Sequence, residues 1–317
     1  MRSFSQRIKL KAIEIGFDKV GLAEAAALVE EGKRLGAWLE AGFHGEMAWM
    51  DREPSRRSDP RLLFPEARSV IVVALNYYTN HKHVESGKQG KVSRYAWGDD
   101  YHEVVREKLM HLLDWIRFEA PEVSGRICVD TAPMMDKAWA VRAGLGWLGK
   151  HSNVITPELG SWVFIGEILL DLELDYDTGM VPDHCGTCTA CIDACPTSAI
   201  VEPYVVDSRK CLSYATIEMR AGQLPADIAA NQAGWLYGCD ICQDVCPWNR
   251  FETHTSEPRF EPRGGETSLN LEKIAAMSHD QYVERFRRSA VKRTKLTGLK
   301  RNAAALSNSQ ALRNDKR

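Results

Sequence analysis

Eight of the nine cysteines in this 317-residue chain fall between positions 185 and 246. The first run, 185–196, reads C-G-T-C-T-A-C-I-D-A-C-P, and the second, 239–247, reads C-D-I-C-Q-D-V-C-P, with Cys211 alone between them. The C-x2-C-x2-C-x3-C-P spacing of the first run holds [4Fe–4S] clusters in bacterial two-cluster proteins, where the fourth cysteine binds the other cluster. The cysteine pattern therefore predicts an iron–sulfur protein with two clusters.

The same spacing rule assigns four cysteines to each cluster. The predicted ligands of cluster 1 are Cys185, Cys188, Cys191 and Cys246. The predicted ligands of cluster 2 are Cys195, Cys211, Cys239 and Cys242. Cys211 is included because the second run is one cysteine short. A zinc ribbon or a set of disulfides is the alternative, although the C-P endings do not select for zinc. The ninth cysteine, Cys128, is interpreted as a buried small hydrophobe.

The composition is that of a globular protein with a sizeable core, since 44% of its residues are hydrophobic and its formal net charge is −2. The length predicts about two or three structural units. The sequence contains no run of about 18 apolar residues, which a membrane span needs, and no apolar or twin-arginine signal at its N-terminus. We therefore expect a cytoplasmic protein with no membrane partner, in a reducing compartment where structural disulfides are rare.

The residues ahead of the cysteines have the pattern of an α/β scaffold. Two apolar, β-branched runs, 68–78 and 162–172, predict strands buried on both faces of a central sheet. A shorter strand is predicted at 126–129. Apolar residues at helical spacing predict helices over 5–16 and 101–118.

Polar residues at the ends of these elements are candidates for a catalytic centre. Asp100 can cap the helix that follows it, but Tyr101 and His102 beside it add more polar chemistry than a cap needs. Asp130 follows a strand, and strand ends are the usual ligand positions in open α/β sheets; capping of the next helix is the alternative. We interpret the clusters as a wire that feeds electrons to this centre.

The C-terminal part joins a linker-like arm, 252–268, to a basic stretch, 282–301, which has eight Lys or Arg against the single acid Glu284. Such an excess of positive charge predicts a surface for a polyanion; a basic, solvated helix face is the alternative. These changes in composition divide the chain into 1–179, 180–250 and 251–317.

Four segments resemble the epoxyqueuosine reductase family: SRYAWGDDYH, VDTAPMMDKAWAVRAGLGWLGKHS, the first cysteine run with PTSAIVEPYVVDSRKCLSY, and YGCDICQDVCPWNR. The resemblance covers residues 1 to about 306. It implies an α/β (α+β) cobalamin-binding catalytic domain, an inserted ferredoxin-like double [4Fe–4S] domain, and a short C-terminal helical segment that truncates the HEAT-like repeats of longer relatives. The implied enzyme is a relative of the reductive dehalogenases that reduces epoxyqueuosine to queuosine at the wobble position of tRNA, the last step of queuosine biosynthesis.

Individual residues take roles from this resemblance. Asp130 falls on the proposed proton donor, and Asp100 and Tyr101 fall on the substrate pocket. To act as an acid near neutral pH, Asp130 is expected in a pocket that raises its pKa. The positions implied to line cobalamin are Arg57, Ser93, Asn153, Ser161 and Ser213. The D-x-H-x-x-G motif that supplies a histidine ligand is not met at 100–105, so base-off cobalamin is expected.

The implied partner is tRNA bearing epoxyqueuosine, and the implied reductant is an unidentified low-potential electron donor. The residues assigned to tRNA phosphates are Arg287, Arg288, Lys292, Arg293 and Lys295. We expect a monomer. Two other functions fit a double-cluster chain: a cobalamin-dependent, dehalogenase-like reductase of a small molecule, and a non-catalytic electron carrier.

Overall fold

The structure, a computed structural model, describes residues 2–220 and 222–314, with side chains up to residue 309. The strands are β1 (Lys19–Glu24), β2 (Ser69–Asn76), β3 (Gln89–Val92), β4 (Gly125–Cys128), β5 (Trp147–Leu148), β6 (Val154–Ile155), β7 (Val163–Leu170), β8 (Ile200–Glu202), β9 (Val205–Val206), β10 (Trp235–Tyr237) and β11 (Ser268–Asn270). The α-helices are α1 (Phe4–Ile15), α2 (Val29–Glu40), α3 (Pro54–Ser58), α4 (Tyr101–Glu119), α5 (Asp136–Arg142), α6 (Ala190–Asp193), α7 (Leu212–Ile217), α8 (Ala226–Ala230), α9 (Ile241–Asp244), α10 (Leu271–Ala276), α11 (His279–Arg285) and α12 (Lys295–Asn314). Short 3-10 helices occur at Pro60–Leu62, Arg94–Ala96, Ser208–Lys210, Pro247–Phe251, Pro258–Phe260, Arg263–Gly265 and Ala290–Thr294.

A four-stranded sheet in the order β1-β2-β7-β4 forms the centre of the N-terminal part. All eight residues of β2 are buried, because α1 and α4 cover one face of the sheet and α5 covers the other. The strands predicted over 68–78, 126–129 and 162–172 are therefore confirmed as β2, β4 and β7. Burial on both faces explains their near-continuous apolar sequences.

The sheet is antiparallel at each of its three pairings. The strand-end rule for open parallel sheets therefore does not explain the position of Asp130, although Asp130 does follow a strand as predicted; its candidacy as a catalytic residue stays a prediction. Instead, β4 pairs with β7 so that Cys128 lies opposite Glu167, and Asp130 follows two residues later. Of the two forms of the predicted fold class, the structure has the α+β form.

Helix α4 begins at the predicted residue and carries the candidate pocket residues at its N-terminus. Asp100 is its N-cap, and its side chain accepts a hydrogen bond of 3.1 Å from the backbone N–H of His102. The buried face of the helix, which packs on the sheet, consists of Val104, Val105, Leu109, Leu112, Leu113 and Ile116. The cap is thus anchored on a rigid element.

A second sheet joins distant parts of the chain. Strand β3 lies between β10, which is parallel to it, and β11, which is antiparallel. The C-terminal helices pack around this sheet in a core of their own. The arm over 252–268 is not an extended linker, since Thr255, Glu257 and Phe260 are buried in it. The division at residues 179 and 250 stays a prediction.

Among the helices of the described residues, none is long and apolar enough to cross a bilayer.

We predict that Asn302→Ala lowers the Tm by about 5 °C or more, measured by anaerobic thermal unfolding. Asn302 is fully buried in α12, and its Nδ2 donates to the carbonyl oxygens of Thr216 at 2.8 Å and Leu236 at 3.0 Å. Removing the amide leaves two buried carbonyl groups without that donor. Asn308→Ala, at an exposed position of the same helix, is the control and should leave the Tm unchanged. Equal Tm values for the two variants would contradict this account.

Candidate active site and metal centre

Three side chains at the end of β4 and the start of α4 form a hydrogen-bonded chain. His102 Nδ1 lies 2.6 Å from Asp100 Oδ1, and His102 Nε2 lies 3.0 Å from Asp130 Oδ2. Burial alone would lower the pKa of His102, but the two carboxylates outweigh it and raise the pKa to about 9. His102 is therefore an imidazolium at neutral pH that donates to both aspartates.

Asp130 occupies a strained turn that directs its carboxylate outwards. Its φ is 50°, in the left-handed region that side chains other than glycine seldom adopt. Its side chain keeps 56% of its exposure, so it faces an open space. The substrate-pocket residue Tyr101 hydrogen-bonds to it and stacks on Phe164, with ring centroids 4.3 Å apart. The structure thus brings Asp100, Tyr101 and Asp130 together, as the resemblance implies.

The expectation of a raised pKa for Asp130 is wrong in this structure. Desolvation by the surrounding protein would raise the pKa, but hydrogen bonds from His102 and Tyr101 and the charge of His102 lower it below its usual value. Asp130 is therefore a carboxylate at neutral pH, and the proton between the two groups resides on His102.

The groups that do keep a proton lie deeper, in a buried carboxyl pair. Glu167, in the middle of β7, is fully buried next to Asp136, the first residue of α5. Burial raises the pKa of Glu167 well above its usual value, and the neighbouring carboxyl group adds to this effect. Burial also raises the pKa of Asp136, and the charge of Asp130 adds to this effect. Two carboxyl groups in contact in an apolar interior cannot both be ionised.

Lys137 lies within electrostatic range of one of these carboxyl groups and of two cysteines. Its Nζ donates to the carbonyl oxygen of Ser152 at 2.8 Å and to Oδ1 of Asn153 at 2.9 Å. Desolvation by the surrounding protein lowers its pKa, while the nearby Cys242 opposes that shift, and Asp130 also lies within electrostatic range. The Lys137 side chain is nevertheless exposed, as is that of Asp130. The two residues therefore share a solvent-exposed surface beside Cys242, which we call the cleft.

Most electrostatic interactions between the eight cysteine thiols fall within two groups, and one interaction, between Cys191 and Cys242, joins the groups. One group consists of Cys185, Cys188, Cys191 and Cys246. The other consists of Cys195, Cys211, Cys239 and Cys242. Burial, with a smaller contribution from the neighbouring thiols, raises the pKa of Cys191 to about 11. A metal is what deprotonates such thiols. The groups have the same members as the ligand sets predicted from spacing.

Two of the five positions implied to line cobalamin are engaged behind the cysteine loops. The Ser93 hydroxyl donates to Asp240 Oδ1, and the Ser161 hydroxyl donates to Gln243 Oε1 at 2.8 Å. Both serines are buried. Both hydroxyl groups therefore donate hydrogen bonds within the protein. These hydrogen bonds position the loop that carries Cys239 and Cys242.

Of the other three positions, only Asn153 contacts Lys137, since its Oδ1 accepts a hydrogen bond from Lys137 Nζ. Ser213 follows Cys211 closely at the start of α7. Arg57 is buried with its guanidinium 5.2 Å from the Trp49 ring centroid, and Asp136 lies within its electrostatic range.

The basic stretch is exposed and reaches the pocket. Its five predicted phosphate contacts are all exposed. Arg293 makes two contacts of 2.7 Å with Glu218 and lies within electrostatic range of Asp130. The carbonyl oxygen of Arg288 accepts a hydrogen bond of 2.9 Å from the backbone N–H of Asp100. The side chains of Arg288 and Arg293 are themselves ion-paired, with Glu103 and Glu218. The backbone of this stretch and the Arg293 side chain therefore lie near the Asp130 site.

Sequence reasoning missed the buried acid pair and Lys137. Glu167 offered a signal, since it is the single charge in the apolar run WVFIGEILL, and a charged residue inside such a strand requires a partner. Asp136 and Lys137 lie six and seven residues after Asp130, at the start of α5, and had no spacing of their own that singled them out.

The sequence of this chain is similar to known protein families and to known proteins. A family described as "Epoxyqueuosine reductase QueG, DUF1730" matches residues 57–131, and a "4Fe-4S double cluster binding domain" matches residues 184–249. The epoxyqueuosine reductase of Cellulophaga algicola is 50% identical over 298 residues, which are 94% of this chain and 96% of that one. The chain belongs to the epoxyqueuosine reductase family. Its members are oxidoreductases, and so is this chain.

Solved structures of the family have the same fold. A crystal structure of epoxyqueuosine reductase with an epoxyqueuosine-modified tRNA-Tyr stem loop superposes with a TM-score of 0.90 at 30% identity, covering 96% of this chain and 81% of that one. The Bacillus subtilis epoxyqueuosine reductase, with its catalytic aspartate loop swung out of the active site, gives a TM-score of 0.88 at 29% identity, with the same coverage.

We predict that Glu167→Gln raises the Tm at pH 8 by about 3 °C or more and has little effect at pH 5. The pKa of Glu167 is raised by folding, so the stability it contributes is full below its usual value of 4.5 and is lost as pH rises. Glutamine does not titrate. Anaerobic unfolding scans at both pH values test this, with the exposed Glu122→Gln as control. A Tm change that is equal at the two pH values would contradict the prediction.

Proposed function

We propose that this chain reduces epoxyqueuosine to queuosine in tRNA, at the cleft that Asp130 and Lys137 line. The observation that carries the proposal is the hydrogen-bonded Asp100–His102–Asp130 chain, which faces a cleft bordered by cluster cysteines. Family membership supports it, since the chain is 50% and 48% identical to the epoxyqueuosine reductases of Cellulophaga algicola and Leadbetterella byssophila. Proton supply and electron supply meet at one place, as a reductase requires.

The chain is an iron–sulfur protein of the double-cluster type. In this proposal each of the two cysteine groups holds one [4Fe–4S] cluster, with the ligand sets given by the spacing. The mutual proximity of the thiols within each group supports these sets. Cys191 of the first group also lies within electrostatic range of Cys242 of the second. That proximity suits electron transfer from one cluster to the other.

Cobalamin is the proposed second cofactor, and the residues of the cleft fit it. Asn153 contacts Lys137, whose Nζ offers a donor within electrostatic range of both Asp130 and Cys242. Arg57 lies within electrostatic range of the neighbouring Asp136. When bound there, cobalamin supplies a low-potential cobalt centre that delivers two electrons to the substrate. Both ring nitrogens of His102 are engaged by aspartates, which agrees with base-off cobalamin that receives no ligand from this histidine.

The residues of the chain supply protons. Removing the epoxide oxygen as water, with formation of an alkene, consumes two electrons and two protons. His102 carries a proton that it shares with Asp130 through the 3.0 Å contact. Asp130 passes this proton to the opening C–O bond, and the imidazole is protonated again from solvent. Asp100 holds the other ring nitrogen and thereby keeps His102 both oriented and charged.

The proposed substrate is presented by tRNA. Wobble-base chemistry requires a nucleotide turned out of its stack into a pocket, with phosphates held outside it. The exposed basic residues at 287–295 belong to a stretch whose backbone contacts Asp100 and whose Arg293 lies within electrostatic range of Asp130. Of the two other functions considered, the small-molecule reductase leaves this basic stretch without a role, and the electron carrier leaves Asp130 without one. A cytoplasmic location and a monomeric state stay predictions, and the electron donor is unidentified.

We predict that the reconstituted enzyme, given iron, sulfide, cobalamin and a strong reductant, removes one oxygen from epoxyqueuosine in tRNA. Asp130→Asn should slow this conversion about a hundredfold or more, because asparagine cannot relay the proton of His102. Nucleoside mass spectrometry measures the product, and iron analysis shows that the clusters are intact. Asp114→Asn, at an exposed position of α4, is the control. Conversion that survives in Asp130→Asn would refute the proton role, and wild-type enzyme that binds cobalamin but converts nothing would refute the substrate.

We predict that Cys211→Ala retains about four of about eight irons per chain, because it removes one ligand of cluster 2 and leaves cluster 1 complete. Iron analysis and the spectrum of the remaining cluster provide the measurement. The control is Cys128→Ala, which changes a fully buried cysteine outside both groups and should leave the iron content near that of the wild type. An unchanged iron content in Cys211→Ala would disprove the ligand assignment.

We predict that replacing Arg287, Lys292 and Lys295 together by glutamine weakens tRNA binding about tenfold or more. The slope of log affinity against log salt concentration should fall by about 2 to 3, since three phosphate contacts are lost. Filter binding at several salt concentrations measures both quantities. Arg117→Gln is the control, because it lies 16 residues further along α4 than Tyr101, about 24 Å from the pocket. An equal loss in the control would show that the effect is one of total charge.

A further inference from the structure

Lys150 contacts the loop that carries three of the cluster 1 cysteines. It lies just after β5 and is only 9% exposed. Its Nζ donates to the carbonyl oxygen of Gly186 at 2.6 Å and to that of Cys188 at 2.9 Å. A lysine is seldom buried without a reason, because removing an ammonium from water costs several kcal/mol.

The backbone of Lys150 fixes the same loop from a second side. Its carbonyl oxygen accepts a hydrogen bond of 2.9 Å from the backbone N–H of Tyr204. The Tyr204 hydroxyl donates to Asp183, which in turn accepts a hydrogen bond of 2.7 Å from the N–H of Cys185. The ammonium is therefore held in one place relative to Cys185 and Cys188.

The charge of Lys150 is not cancelled by a salt bridge within the described residues. No carboxylate oxygen there lies within 4 Å of its Nζ. The two carbonyl groups satisfy hydrogen bonds of the ammonium but carry only partial negative charge. Asp183 lies within electrostatic range of Lys150 without forming a salt bridge with it, so its carboxylate offsets part of the ammonium charge. The remaining positive charge acts on the cysteine loop, in an environment where charges are weakly screened.

A cluster bound by four thiolates is the anion that this charge lacks. Reduction of a [4Fe–4S] cluster adds one electron and hence one more negative charge. A fixed positive charge nearby stabilises the reduced form more than the oxidised form, which raises the reduction potential. Net charge, hydrogen bonding and solvent exposure are the factors by which proteins tune these clusters.

We propose that Lys150 raises the reduction potential of cluster 1 by holding a buried positive charge against the loop of Cys185 and Cys188. This inference rests on the cluster ligands given under the proposed function. Cys188 is exposed and Cys242 of the other group interacts with Lys137 in the cleft. Cluster 1 is thus the one that faces an external electron donor, and Lys150 makes it the easier acceptor of that electron.

The test is a redox titration of the anaerobic holoenzyme, followed by the electron paramagnetic resonance of the reduced clusters. Dithionite supplies electrons one at a time to the clusters and is oxidised to sulfite. Lys150→Gln keeps a hydrogen-bond donor but removes the charge, so one of the two midpoint potentials should become more negative and the other should stay. Lys150→Arg keeps the charge and should titrate close to the wild type. Lys210→Gln, which removes an exposed charge beside Cys211, is the control and should shift neither potential.

Three results would overturn the inference. Unchanged potentials in Lys150→Gln with full iron content would show that the charge has no influence on the cluster. An equal shift in Lys150→Arg would assign the effect to geometry instead of charge. Loss of about half the iron from Lys150→Gln would make Lys150 a structural requirement of the site. A wild-type chain that fails to hold about eight irons would instead refute the cluster ligands themselves, which separates the two proposals.

Discussion

Three carboxyl groups, on Asp130, Asp136 and Glu167, share one corner of the molecule and cannot all be ionised there. Asp130 remains ionised because it faces the cleft and because the hydrogen bond and positive charge of His102 stabilise its carboxylate. The other two, held between α5 and β7, retain a proton through burial and mutual repulsion. Lys137 and Arg57 approach the same corner from the other side. The protonation of the whole site follows from this crowding, because each group's charge depends on its neighbours.

The C-terminal region is part of the active site's support. The N–H of Asp100, the residue that orients His102, is bound by the backbone of residue 288. The Tyr237 hydroxyl, in the cysteine-bearing segment, donates to the carbonyl oxygen of Ala290 at 2.6 Å. The stretch that presents the basic side chains therefore contacts both Asp100 and the cysteine-bearing segment, so the position of this stretch is linked to theirs.

Local patterns in the sequence predicted what local physics determines. The buried strands β2 and β7 and helix α4 with its Asp100 cap follow from short-range spacing. The antiparallel order of the sheet does not, because strand direction depends on pairing between distant segments. The pKa of Asp130 also escaped prediction, since its environment is set by His102, which lies 28 residues away in sequence. Burial within the 252–268 arm was not predicted either. The arm is polar in overall composition, and only a few of its residues are apolar and make such contacts.

The second sheet can form only late in synthesis, because its strands are far apart in the sequence. Strand β3, at 89–92, pairs with strands at 235–237 and 268–270, so it waits without partners while most of the chain is synthesised. Cys246, the predicted fourth ligand of cluster 1, also emerges late. Completion of that predicted cluster and closure of this sheet thus fall in the same late interval of synthesis, when contacts between distant segments form slowly. A chain that closes before it receives iron would bury the thiols of two predicted ligands, Cys191 and Cys246.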